Sequence, residues 1–209
     1  MKDEVIEILT KAKAIIRDGH FVYVSGKHGS IYLNKDAIYP HTAAASRIGE
    51  LFAEKHKDLP IDVVVGPALG GIILSQWTAH HLSRLLGKEV FGVYTEKSPD
   101  GNQVFTRGYD KLVAGKNILV VEDITTTGGS VQKVITSVKA AGGNVAAVGV
   151  MINRSPKVVD SGSIGAPYSA LAELPVEDYE ESACPFCKAG KPINTDLGHG
   201  KKFLASKKS

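Results

Sequence analysis

Residues 120–130, VVEDITTTGGS, set two carboxylates, Glu122 and Asp123, before three threonines, two glycines and a serine. That order suits an anion. Gly128 and Gly129 let the backbone turn tightly and approach a ligand, and the unpaired amides at the start of a following helix point outward. Thr125, Thr126, Thr127 and Ser130 add hydroxyl donors. Carboxylates repel phosphate, so the acidic pair needs another partner on the same ligand. A vicinal diol donates hydrogen bonds to two carboxylates while the loop holds the anion, and a ribose 5-phosphate carries both groups. Neither GxxxxGK[ST] nor a strand followed by GxGxxG occurs, which excludes a Walker loop and a dinucleotide fingerprint. Taken singly, each residue is better explained as a cap or turn at a strand end. The order of the whole stretch is what points to a ligand.

Other residues with chemical potential give less. Cys184 and Cys187, the only cysteines, form CPFC with His199 beyond it. Half of a zinc knuckle is present, but four ligands at convincing spacing are not, so the expectation is a structural tail with reduced thiols and no metal-binding residue. His80 and His81 are adjacent on a helix and cannot share one metal face, and Trp77 on the same helix is expected in the core.

Four apolar runs must position the acidic pair: IDVVV (61–65), VFGVY (90–94), NILVVE (117–122) and VAAVGVMI (145–152). Such runs suit strands buried on both faces of a parallel sheet. Residues 72–86 and 130–141 carry helical periodicity between them, the second stopped by Gly142-Gly143-Asn144. The fold class expected is therefore α/β with a mostly parallel sheet, and ligands in such sheets bind where strand ends lead into helices. Before this core lie a helix over 3–18, a hairpin over 20–35 turning at SGKHGS, and a helix over 42–56; 167–174 reads as a further strand. From residue 176 the chain turns acidic, then rich in glycine and proline, then lysine-rich. The expected division is a domain over 1–175, with a hood from about 1–40, and an appendage over 176–209.

The chain has 209 residues, 43% hydrophobic and 22% charged, enough for one core. Its net charge of +3 owes much to the four lysines of the final KKFLASKKS, so the body offers no basic face for nucleic acid. The first residues lack a signal peptide's pattern and no run is long enough to span a membrane, so a cytoplasmic protein is expected.

VVEDITTTGGS resembles the phosphoribosyl diphosphate motif of type I phosphoribosyltransferases, and the likeness extends over about residues 1–190. It implies that Glu122 and Asp123 contact the ribose hydroxyls, and that Thr125, Thr126, Thr127, Gly128, Gly129 and Ser130 bind the 5-phosphate. Within the family the chain is most similar to the orotate-using branch. HFVYVSGKHGSIYLNKD resembles that branch's hood, which implies that Tyr32 lines the base pocket. VVVGPALGGIILS resembles its second loop, which puts Leu69 and Gly70 at the diphosphate. NRSP matches a strand end where an arginine faces the orotate carboxylate, and implies that role for Arg154; a guanidinium grips a planar carboxylate through two parallel hydrogen bonds. The resemblance implies transfer of phosphoribosyl from phosphoribosyl diphosphate to orotate, with Mg²⁺, a homodimer, and Lys97 and Asp123 as catalytic residues. Lys97 lies in YTEKSPDGNQVFTRGYD, where the turn at 99–102 is consistent with a lid. Two lysines common in the branch are Val24 and Gly70 here, leaving Lys27, His28, Lys97 and Arg107 as further sources of positive charge. Transfer to a purine or another base, or a noncatalytic sensor of phosphoribosyl diphosphate, are the rival readings.

Overall fold

A computed structural model describes residues 1–207. Its centre is a six-stranded sheet in the order β10-β9-β8-β5-β6-β7. These strands are β5 (Val63–Pro67), β6 (Phe91–Lys97), β7 (Gln103–Val104), β8 (Asn117–Thr125), β9 (Asn144–Asn153) and β10 (Tyr168–Glu173). All pairings are parallel except β6 with β7. The crossing helices are α3 (Gly70–Leu86) after β5, α4 (Tyr109–Val113) before β8, α5 (Gly129–Ala140) after β8 and the short α6 (Ser161–Ile164) before β10.

The continuous apolar runs become strands because both sheet faces are covered. Along β8, Leu119 and Val121 join a core with α1 (Lys2–Lys11), α2 (Thr42–His56) and α3, whereas Ile118 and Val120 join a second core with α5. Period-two alternation thus places an apolar side chain on each face at every step. Chain order reverses between β8 and β5, so the loops after these strands part and leave a crevice at their carboxyl ends.

The expected helix over 3–18 ends at Lys11. Lys13 takes a left-handed conformation (φ 55°), and Ile15 and Ile16 form β1 (Ile15–Ile16), paired with β4 (Tyr32–Leu33). Tertiary pairing overrides the helical spacing of Ala12 and Ile16. The expected hairpin is present as β2 (Phe21–Val22) and β3 (His28–Gly29). Two-residue strands are marginal alone. They are held by the segment after β10, which carries a 3₁₀ turn (Glu181–Ala183), α7 (Pro185–Lys188) and α8 (Gly200–Ser206). His28 bridges to Tyr179, Asn194 N–H donates to His20 C=O at 2.8 Å, and His199 N–H donates to Val22 C=O at 2.8 Å. Residues 176–207 therefore complete the hood, and the last two residues of the appendage lie outside the described residues.

Candidate active site

A cleft of about 620 Å³ opens at the chain reversal. The β8 end gives its floor, the loop after β5 one side, and the hood with the C-terminal segment the rest. Glu122 and Asp123 are both buried at the strand end. Asp123 Oδ1 accepts from Ile124 N–H at 2.7 Å, and Oδ2 accepts from Lys35 Nζ at 2.7 Å and Tyr39 Oη at 3.0 Å. Burial drives the Tyr39 phenol far above its ordinary value and the Asp123 charge adds to this, so Tyr39 keeps its proton and donates. Burial opposes the Lys35 charge, but Asp123 outweighs it and the ammonium is favoured. Glu122 Oε1 accepts from Asp123 N–H at 3.0 Å. Burial, reinforced by the Asp123 charge, raises the Glu122 carboxyl well above the ordinary 4.5. The two acidic groups are thus unequal: Asp123 is paired with a cation, whereas Glu122 is a desolvated carboxyl that resists ionising.

Beyond them the chain turns through residues 126–129 into α5, and Thr126, Thr127 and Ser130 are exposed at the cleft. Gly128 has φ +78°, and a Cβ there would also come within 2.5 Å of Ile164 Cδ1, so only glycine fits. Residues 124–131 enclose a second hollow of about 230 Å³. Thr125 faces it, but its hydroxyl is engaged with Tyr168 Oη at 3.0 Å and its side chain is buried. That contact ties β8 to β10 and sets Thr125 apart from Thr126 and Thr127.

Arg154 follows β9, and its amide donates to Thr125 C=O at 2.9 Å, which fixes the residue beside the loop. Its guanidinium lies 4.9 Å from the Tyr23 ring centroid, and its Nε is buried without a protein partner. A planar cation stacked on an aromatic ring with an unsatisfied donor is suited to a carboxylate. Tyr32 lines the same cleft, and Leu69, 81% exposed, projects from the loop after β5. Gly70 is buried where a Cβ would come within 2.1 Å of Asp123 Oδ2 and 2.3 Å of Tyr39 Oη, so any side chain there would displace those two groups.

Other expected sources of charge lie elsewhere. Lys97 is exposed at the end of β6 and is not among the residues lining the cleft. Its loop forms a tight turn closed by Ser98 N–H to Asn102 C=O at 2.9 Å. Arg107 pairs with Glu96 at 3.4 Å and Lys27 with Asp178 at 3.0 Å. His28 is fully buried and supplies no charge to the cleft; it lies against His20 and Cys187. CPFC, expected to lack partners, meets two histidines brought from the hood. His199 lines the cleft instead of joining the cysteines. Sequence reasoning missed Lys35, Tyr39, Tyr23 and His199. Lys35 and Tyr39 act on a carboxylate more than eighty positions away, with no motif linking them.

The phosphoribosyl transferase domain family matches residues 34–162. An orotate phosphoribosyltransferase from Caldanaerobacter subterraneus subsp. tengcongensis is 38% identical over 192 residues, 92% of this chain and 95% of that protein. The protein of the same name from Thermotoga maritima is 36% identical over 196 residues, 94% of this chain and 98% of that one. In three dimensions the chain is similar to Mycobacterium tuberculosis H37Rv orotate phosphoribosyltransferase solved with inorganic phosphate. The TM-score is 0.64 at 23% identity, covering 82% of this chain and 96% of that one, a likeness of fold.

Proposed function

This chain belongs to the phosphoribosyl transferase family, and from that premise we propose that it is an orotate phosphoribosyltransferase acting in pyrimidine nucleotide synthesis. It transfers the 5-phosphoribosyl group of phosphoribosyl diphosphate to a ring nitrogen of orotate, giving orotidine 5-phosphate and diphosphate. The observation that carries this reading is the convergence on one cleft of the acidic pair, the hydroxyl loop and Arg154 with its unpartnered Nε.

The 5-phosphate sits in the loop, taking hydroxyls from Thr126, Thr127 and Ser130 and amides at Gly128 and Gly129, with Thr125 bracing the loop from below. Glu122 and Asp123 receive the ribose 2- and 3-hydroxyls. Arg154 grips the orotate carboxylate and Tyr32 flanks the base, while Leu69 and Gly70 bring backbone to the diphosphate. The bond from C1 to the diphosphate oxygen breaks with its electron pair leaving on oxygen, and the orotate nitrogen lone pair forms the new C1–N bond. Orotate supplies an anionic nitrogen, so no general base is required; positioning and charge stabilisation are the protein's part. The oxygen-rich donor set of Glu122, Asp123 and the sugar hydroxyls suits a hard cation, and Mg²⁺ held there with the substrate would neutralise charge developing on the leaving group. Lys97 ends β6 where it leads into the β6–β7 turn, outside this chain's own cleft lining, and the catalytic role we give it is as a lid residue reaching the neighbouring site of a homodimer. No described helix is long and apolar enough to cross a membrane, and the compartment we assign is the cytoplasm.

The test is diphosphate release by the purified protein with phosphoribosyl diphosphate and Mg²⁺, comparing orotate, uracil, adenine, hypoxanthine and no base. Release with orotate alone, lost in Asp123→Asn, supports the assignment. Release with a purine moves the substrate, and tight binding without turnover of any base makes the protein a sensor.

A further inference from the structure

His20, His28, Cys184 and Cys187 come from opposite parts of the chain, yet their ligand atoms all lie within 4.8 Å of one another. His20 Nε2 is 2.9 Å from His28 Nδ1 and 3.7 Å from Cys184 Sγ. Cys187 Sγ is 3.6 Å from His20 Nε2 and 3.3 Å from His28 Nδ1. Zn–N bonds of about 2.0 Å and Zn–S bonds of about 2.3 Å put tetrahedral neighbours roughly 3.3–3.8 Å apart. Three of the four nitrogen–sulfur distances already fall in that span, and the two imidazole nitrogens would part by about 0.4 Å.

The surroundings orient the ligands. His20 Nδ1 lies 2.7 Å from Lys191 C=O, which only accepts, so Nδ1 carries the proton and the Nε2 lone pair faces the cluster. His20, His28 and Cys184 are 2%, 0% and 0% exposed, and both cysteines are free thiols. Phe186 lies tilted 5.7 Å from His20 and Phe203 meets His28 edge-on at 4.9 Å, ring centre to ring centre, forming an apolar wall. Two imidazoles and two thiols enclosed this way have almost only one another as polar partners, which is unfavourable for mere packing. His28 Nε2 is itself buried without a partner.

We propose that these four residues form a structural Zn²⁺ site that fastens the C-terminal segment to the hood. Two sulfurs and two imidazoles in a closed tetrahedron select zinc over oxygen-preferring cations, and no position is left open for catalysis. Its effect reaches the cleft through backbone: His20 C=O accepts from Asn194, Val22 C=O accepts from His199, and Gly198 and His199 line the cleft. The metal site stands independently of the base and sugar assignments.

Elemental analysis of untagged protein, purified under reducing conditions without chelator, tests the proposal. The expected result is about one zinc per chain, falling at least tenfold in the Cys184→Ser/Cys187→Ser double variant. Cobalt-exchanged protein should show the visible bands of tetrahedral Co²⁺ with sulfur-to-metal charge transfer. Stripping zinc should open residues 176–207 to limited proteolysis while the sheet's far-ultraviolet circular dichroism persists. Should the double variant not fold, modification of the wild-type thiols with a mercurial gives the reading: one zinc released per two thiols supports the site. Wild-type protein that neither contains zinc nor takes it up stoichiometrically overturns the proposal, as does zinc that remains after both thiols are removed or blocked.

Discussion

Asp123 is satisfied by Lys35, Tyr39 and the Ile124 amide, whereas Glu122 beside it is buried with a carboxyl that resists ionising. Because folding raises the Glu122 pKa, the charged form destabilises the native state. This penalty is absent below 4.5 and grows as pH rises through the folded value. Glu122→Gln is therefore expected to stabilise the free protein at neutral pH by about 0.5–2 kcal/mol. The gain should vanish in acid, and ribose binding should weaken; thermal unfolding at several pH values checks the first, substrate titration the second. Gly70→Ala has a different signature. Its Cβ would collide with Asp123 and Tyr39, so kcat/KM is expected to fall on the order of 10²-fold with little change in circular dichroism. Arg154→Lys loses the planar fork and should raise the orotate KM by roughly 10-fold or more while the phosphoribosyl diphosphate KM stays put. Of these residues, the acidic pair and Arg154 were legible because each ends an apolar run. Lys35 and Tyr39 were not, because contact across the fold leaves no local pattern.

At the scale of elements, the turn proposed to hold the phosphate depends on one backbone conformation. Gly128→Ala needs left-handed geometry and pushes against Ile164, so a loss of about 1–2 kcal/mol is expected from the backbone alone, with weaker phosphate binding. Denaturant titration and isothermal calorimetry with ribose 5-phosphate separate the two effects. His56, at the end of α2, has Nδ1 2.8 Å from Phe52 C=O and Nε2 3.2 Å from Ser169 of β10. Burial lowers its pKa below the ordinary 6.5. Its neutral form belongs to the native state, so stability is full above 6.5 and declines as pH falls toward the folded value, by at most about 1.4 kcal/mol per unit. His56→Gln should flatten that slope in urea unfolding curves. The elements were read well where burial repeats: β8 and β9 begin and end within a few residues of the Val- and Ile-rich runs, and α2 spans Thr42–His56 as expected. The first helix was read too long because Ala12 and Ile16 continue the helical spacing, whereas Ile15 and Ile16 pair with β4.

Across the whole molecule, stability is unevenly spread. Long central strands β8 and β9 bury apolar side chains on both faces, while β1 to β4 are two residues each. Amide hydrogen exchange should be slowest in β8, β9 and β5 and fastest in the hood, apart from amides bonded to residues 176–207. The appendage was visible in the sequence as a change of composition, but its destination was not. CPFC supplies only two of the four ligands, and His20 and His28 sit more than 150 positions earlier, where nothing marks them as partners. That separation also dates the hood within synthesis. A chain growing at about 5–20 residues per second leaves His28 waiting roughly 8–30 seconds before Cys184 is made. The β8 floor of the cleft is therefore translated while its roof is unfinished, and the newborn hairpin stays uncovered until the last segment arrives.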